Sequence, residues 1–377
     1  MPPLFLSWTL SQSFRPKFGK DFGKKFSPQA GFTNLIRFGE TWQERRLSTL
    51  KTLPFVIGPD SSGYDGQFYA QIALDPLLLN PTLPTALDAP VYRARRILAP
   101  ATAAMAGLGN PWWTLQSYAL LNTFCWFTLG WLLYRQIEPG GGRAFARWAG
   151  CMFSLGVLDS VRQSLVDLPA LLLLVLATTA YIKAQTTRST FWLTLSNLTK
   201  ETSLLGAFAL LADKPLHPFP WRRAGLALLV AALPLALWSL YVQQRFANAS
   251  GSEGLGNFTW PLLGLLTQAK HSLREVSFGN LDSRYTFSLI GIVGLGTQVW
   301  ALWRNPQSQS PWWRIGAAYS ILLIFLSPWV WSGYWAACRA VLPMTIAFNL
   351  LLPSTRSFWP LWILGNLTML HAVWRFL

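Results

Sequence analysis

Long apolar runs separated by short polar or basic turns organise this chain from about residue 113 to its end. They are Trp113 to Tyr134, Trp148 to Leu158, Leu168 to Ala184, Thr190 to Ala212, Ala224 to Val242, Tyr285 to Trp303, Ile315 to Val330, Ala336 to Leu352 and Trp359 to Trp374. Several approach the roughly 20 residues that a helix needs to cross a hydrocarbon layer. No water reaches the backbone there, so only helices or closed barrels can cross it. The pattern predicts an all-α fold, a polytopic transmembrane helix bundle over residues 112–377. Residues 11–111 contain no run of spanning length and predict a long first outer loop with short interfacial helices. Met1 to Leu10 is apolar but far too short to cross alone, and is expected to be the remnant of a first transmembrane helix.

Lys and Arg collect in the short loops, which sets an orientation because cytoplasmic loops carry the excess of positive charge. Arg135, Arg143 and Arg147 mark one such loop, Lys183 and Arg188 a second, Lys214, Arg222 and Arg223 a third, Arg304 and Arg314 a fourth, and Arg356 a fifth. Both ends of Thr190 to Ala212 then fall on the cytoplasmic side, so that run is expected to enter and return as a half-span hairpin with its turn near Lys200-Glu201. The same count places Asp65, Asp159, Asp167, Arg339 and an outer loop at 247–283 on the other face. The basic stretch before Asp60 would share that face. A loop longer than about 60 residues escapes the rule.

Composition agrees with a lipid-facing exterior. Hydrophobic residues make up 52% of the 377 and charged residues only 12%, against about 25% charged in soluble domains. The 21 Trp residues suit the headgroup boundaries, where amphipathic rings collect; Trp112, Trp113, Trp300, Trp303, Trp312, Trp313, Trp329, Trp331, Trp335 and Trp359 sit near expected span ends. The net charge of +16 is scattered between apolar runs and forms no nucleic-acid recognition module, so membrane lipids and lipid-linked phosphates are the expected partners and nucleic acid is not. Cys125, Cys151 and Cys338 are far apart, and His217, His271 and His371 lack metal-ligand spacing.

The densest polar cluster runs from Gly58 to Pro76. Turn formers give way to a short helix beginning near Asp65 and ending at Asp75-Pro76. Asp65 can cap that helix, or act as a base at the membrane surface. Arg93, Arg95 and Arg96 can anchor the loop by reaching to headgroups; Arg96 can instead donate to a phosphate. Lys200 and Glu201 form an ionisable pair inside an apolar run, which normally faces a partner or a cavity. A mutual or interhelical salt bridge would hold the hairpin; alternatively, Lys200 donates to a phosphate, with Arg96 and Arg339 as further donors. Ile97 to Leu108 and Pro261 to Arg274 read as helices lying on the membrane.

Asp65-Gly66-Gln67-Phe68-Tyr69-Ala70-Gln71-Ile72-Ala73 resembles the aspartate-plus-helix signature of GT-C-type glycosyltransferases, polytopic enzymes that use polyprenyl-phosphate-linked sugars. Gly63 to Tyr69, with Tyr92-Arg93-Ala94-Arg95-Arg96-Ile97-Leu98-Ala99-Pro100, is similar to a bacterial group of membrane proteins linked to cell-surface glycopolymer formation. The resemblance makes Asp65 the residue that activates an acceptor or helps bind a metal, with Tyr64 and Gln67 beside it. It likens Leu198-Thr199-Lys200-Glu201-Thr202 to a patch between two half-spans, Asp167 to an often acidic outer position, and Arg339 to a downstream arginine patch. It implies an inverting hexosyl- or pentosyltransferase in the bacterial cytoplasmic membrane, acting on a glycan or lipid acceptor. It fixes no cofactor, and a divalent cation at the aspartate is compatible with it. The chain departs from the pattern at Gly66, where many relatives carry a second acid. A non-catalytic transporter or scaffold for lipid-linked sugars is the competing expectation.

Overall fold

The computed structural model describes residues 29–210, 218–247, 254–280 and 283–376, and is helical almost throughout. Met1 to Leu10, the basic stretch up to residue 28 and the far end of the expected hairpin, 211–212, lie outside the described residues.

The polar loop folds into a compact lobe. A two-residue parallel pair, β1 (Phe38–Gly39) with β2 (Ile57–Gly58), precedes α1 (Gly66–Leu74), α2 (Pro90–Ala94) and α3 (Leu98–Ala106). Ile36, Phe38, Leu50, Phe68, Ile72 and Leu83 form its buried core. Two glutamines of α1 tie the irregular chain to this core. Gln67 Oε1 accepts from Gly39 N at 3.1 Å while its Nε2 donates to the Ser62 carbonyl at 2.8 Å. Gln71 does the same for Leu47 N (2.9 Å) and the Ala86 carbonyl (3.1 Å). Loop backbone groups that burial would leave without water thereby keep their hydrogen bonds.

Gly66, the departure from the paired-acid pattern, has a steric cause. A Cβ there would lie 2.3 Å from the Gln163 carbonyl oxygen and 2.9 Å from that of Ile36, both backbone atoms. No side chain fits, an acid least of all. Gly66→Ala is expected to destabilise the protein by about 1–3 kcal/mol, the usual range for overpacking. An unfolding midpoint equal to that of the wild type would contradict this close approach.

The remaining helices pack around a second core containing Leu129, Leu155, Leu174, Ile315, Leu323, Trp331 and Leu342. They are α4 (Pro111–Gln136), α5 (Gly142–Met152), α6 (Leu155–Gln163), α7 (Asp167–Ile182), α8 (Thr186–Thr199), α9 (Pro218–Arg245), α10 (Leu263–Ser277), α11 (Ser283–Arg304), α12 (Pro311–Phe325), α13 (Pro328–Ser332), α14 (Tyr334–Ala340), α15 (Leu342–Leu351), α16 (Phe358–Gly365) and α17 (Thr368–Phe376). The longest starts are signalled locally. Asn110 caps α4, accepting from Trp112 N and Trp113 N at 3.0 and 3.2 Å, and Pro111 supplies a preset φ at the first helical position.

Among the described residues two helices are long and apolar enough to cross a membrane, Gly225–Arg245 within α9 and Arg284–Arg304 within α11; the α14–α15 pair, bent by 65°, makes a third if it counts as one span. Leu226, Leu229, Leu233, Leu237 and Leu240 of α9 remain exposed, a surface suited to lipid. Several expected runs are interrupted instead. Trp148 to Leu158 divides at Phe153-Ser154, Ile315 to Val330 at Leu326-Ser327, and Trp359 to Trp374 at Asn366-Leu367. Mean hydropathy does not register such breaks, because a single Ser or Asn in a long apolar window barely lowers the average. Two of the tryptophans assigned to headgroup boundaries are also interior, Trp312 and Trp331.

Thr190 to Ala212 divides where the charge pattern places a turn. α8 ends at Thr199, Lys200 is extended (φ −156°), and Glu201–Leu210 continues as a 3-10 helix. α9 is fastened to the polar lobe by Trp238 Nε1 on the Ala94 carbonyl (2.8 Å) and Arg245 Nη2 on the Leu78 carbonyl (2.9 Å). α10 turns Gly264, Gln268 and Ser272 inward and leaves Leu266, Leu273, Lys270 and Arg274 exposed.

Candidate active site

A network of charged side chains lies at the seam between the two cores. Its first arm starts at Asp88, just before α2. Both Asp88 oxygens engage Arg93, at Nε (2.8 Å) and Nη2 (2.7 Å). Arg93 Nη2 also donates to Asp65 Oδ1 at 2.9 Å. Such a forked guanidinium holds two carboxylates in fixed directions, which a lysine could not do. Asp65 is therefore no helix cap: its side chain makes no capping bond, and its carboxylate points to Arg93. Oδ1 is fixed. Among the described residues Oδ2 accepts no hydrogen bond and lies 3.9 Å from Arg339 Nη1.

The second arm comes from the bundle. Lys200 Nζ donates to Asp167 Oδ1 at 2.5 Å, and Arg339 Nη1 reaches Asp167 Oδ2 at 3.4 Å. Lys200 and Glu201 thus do not pair with each other. The extended backbone at Lys200 sends successive side chains in different directions, and Glu201 takes Arg96 at Nε (2.8 Å) and Nη2 (2.5 Å). Arg96 Nη1 also donates to Tyr69 Oη at 2.9 Å, and Arg93 Nη1 approaches the same oxygen at 3.4 Å, so Tyr69 joins the two arms. Arg93 and Arg96 are buried to 7% exposure. Reaching to headgroups is excluded for both.

Arg339 differs from the other cations. Arg93, Arg96 and Lys200 each have a carboxylate within 2.9 Å. The carboxylates around Arg339 stand at 3.4, 3.8 and 3.9 Å, from Asp167, Asp159 and Asp65 respectively, and its Nε has no hydrogen-bond partner although the residue is 9% exposed. Its guanidinium sits 5.3 Å above the Tyr64 ring, whose hydroxyl accepts from Trp335 Nε1 at 2.9 Å. A cavity of about 10 Å³, room for roughly one water, opens between Arg339, Lys200, Asp167, Ser203 and Tyr319.

Electrostatics follow this geometry. Burial alone would raise the Asp65 pKa, but Arg93 and then Arg339 outweigh it and hold the carboxyl below its ordinary value. Burial pushes the Tyr92 phenol up to about 12; Arg96 opposes this and Glu201 adds to it. Tyr92 lies against the Arg96 guanidinium, 4.1 Å from ring to charge, and its hydroxyl accepts from the same arginine.

Of the residues singled out by sequence, Asp65, Tyr64, Arg96, Asp167, Lys200, Glu201 and Arg339 come together here. Gln67 does not. It is 1% exposed and both ends of its amide are bound to loop backbone, so it is a fastening residue and not a ligand-facing one. The sequence reading missed Asp88, Tyr69 and Tyr92. Asp88 had one local signal, its place five residues before Arg93 across a short helix start. Among the described residues no three His, Cys, Asp or Glu side chains are grouped to hold a metal.

Comparison with protein-family models, curated proteins and solved structures finds no match for this chain.

Proposed function

We propose that the chain is a multi-pass membrane glycosyltransferase of the GT-C type, which moves a sugar from a polyprenyl-phosphate donor to a cell-envelope glycan or lipid acceptor on the outer face of a bacterial cytoplasmic membrane. The single observation that carries this reading is the approach of Asp65 Oδ2, which accepts no hydrogen bond among the described residues, to 3.9 Å from a loosely held Arg339 that itself lines the cavity, from segments far apart in sequence. The resemblance of the Asp65 segment supports it independently.

In the proposed reaction the acceptor hydroxyl gives its proton to Asp65 Oδ2 while its oxygen attacks the anomeric carbon. The bond from that carbon to the phosphate oxygen breaks, and its electron pair leaves with the lipid phosphate. Arg339 and Lys200 face the growing negative charge. Attack opposite the leaving group inverts the anomeric centre. Arg93 keeps Asp65 aimed, and Asp88 keeps Arg93 aimed.

The test is incubation of the purified protein with polyprenyl-phosphate hexoses and pentoses and an envelope extract as acceptor, following release of lipid phosphate. Release that disappears in Arg339→Ala supports the reading. Absence of release with every donor, or a topology map that places Gly63 in the cytoplasm, sinks it. A specific observation favours the competing reading of a non-catalytic transporter or scaffold: Lys200 and Arg96 are already satisfied by Asp167 and Glu201. Under that reading the protein would retain lipid-linked sugars without ever releasing the phosphate.

A further inference from the structure

An apolar concavity lies away from the charged network. It runs between α11 and α16, has a volume of about 440 Å³ and is lined by Ile292, Val293, Gly296, Trp300, Leu361 and Leu364. That is within the roughly 300–1,000 Å³ of ligand clefts. Gly296 makes the hollow, since a Cβ built there meets nothing within 4 Å. Thr297 adds no free polar group, because its hydroxyl donates to the Val293 carbonyl at 2.8 Å. Behind the groove Gln298 Nε2 donates to the Gly365 carbonyl at 2.7 Å and ties the two helices together, so the floor is fixed.

One end of the groove is charged. Trp300 lines it at 50% exposure, and the guanidinium of exposed Arg304 lies 5.1 Å from the Trp300 ring. α11 is one of the helices long and apolar enough to cross a membrane, and Arg304 is its last residue. An apolar trough along a span, ending in an aromatic ring and a cation at the level where headgroups lie, has the chemistry of an anionic lipid: chain in the trough, phosphate on Arg304.

We infer that this groove binds one acyl chain of an anionic phospholipid, with its phosphate held by Arg304. A second copy of the chain fits worse. Two copies packed about a twofold axis along the membrane normal would bring each Arg304 to the same level as its own image, like charge toward like.

The experiment places the purified full chain in nanodiscs of equal phosphatidylglycerol and phosphatidylcholine and counts retained lipids by native mass spectrometry. One tightly retained phosphatidylglycerol is expected. Gly296→Leu, which fills open space and leaves the helix contacts intact, should lose it. Arg304→Gln should weaken its retention about fivefold, the roughly 1 kcal/mol that one basic residue contributes at an anionic surface, and should leave phosphatidylcholine retention unchanged. Equal retention of both lipids overturns the headgroup assignment. Retention that neither variant alters overturns the site. A dimer that Gly296→Leu converts to a monomer assigns the groove to a second copy instead. Transfer activity plays no part in any of these readouts.

Discussion

Replacing Arg93 with methionine is expected to lower the stability of the polar lobe by about 3 kcal/mol. Arg93 is the single cation between two carboxylates, with Asp88 on one side and Asp65 on the other, at 2.7 and 2.9 Å. Taking one partner out of a buried ion pair costs about 3–5 kcal/mol, because the remaining charge keeps its burial and loses its compensation. The side chains of Asp65 and Asp88 are about a third exposed, 31% and 33%, so water reaches the stranded charges and the lower end of that range applies. Methionine retains most of the stem volume, which separates the loss of charge from the opening of a cavity. Arg93→Lys should recover only part of the loss, since an ammonium cannot fork to both carboxylates. Adding Asp65→Asn and Asp88→Asn to Arg93→Met should recover more, because it removes the charges that were stranded. Thermal unfolding in detergent, with proteolysis of the lobe as a second probe, measures each of these. Stability within about 0.5 kcal/mol of wild type in Arg93→Met, the scatter of an ordinary surface substitution, would mean that the arm is solvated and holds nothing.

The same arm shows what a sequence can and cannot disclose. Hydrophobic runs disclosed long helices such as α4 and α9 but not the breaks at Phe153-Ser154, Leu326-Ser327 and Asn366-Leu367. Charge counting put a turn near Lys200, and the chain changes from α8 to a 3-10 helix there. Partners in the network were a different matter. Arg96 and Glu201 are 105 residues apart and Asp167 and Arg339 are 172 apart. Nothing local says which of several acids each cation will meet. Adjacent opposite charges at Lys200-Glu201 left a mutual and an interhelical pairing open; the extended residue directs neighbours to opposite sides, and each pairs with another element. Asp65 looked like a helix cap for the same reason: a local partner was visible in the sequence and Arg93 was not. Gly66 is a further case: the sequence shows a glycine at the helix start but not its cause, the carbonyl of Gln163 at 2.3 Å from a would-be Cβ.

Asp65→Asn should remove sugar transfer and leave the fold intact. An asparagine Oδ1 still accepts from Arg93, and Arg93 still has Asp88, so the arm keeps its geometry. What disappears is a group able to take the acceptor's proton. General-base assistance contributes about 10²–10⁴-fold to a rate, and a loss of that order in kcat, with KM little changed, is the expected result. The pH dependence gives a second readout. Arg93 and Arg339 hold the Asp65 pKa below the ordinary carboxylate value of about 3.9. The acid limb of the wild-type rate should therefore lie below that of an ordinary carboxylate base. The sign for stability is the same: the stabilisation is present above the unfolded-state pKa and is lost as pH falls through the lower folded value. Arg339→Gln removes one of the two cations and should move the acid limb upward, while also slowing departure of the phosphate. An Asp65→Asn protein that still transfers sugar would assign the proton to another group and leave Asp65 only its place in the ion-pair network.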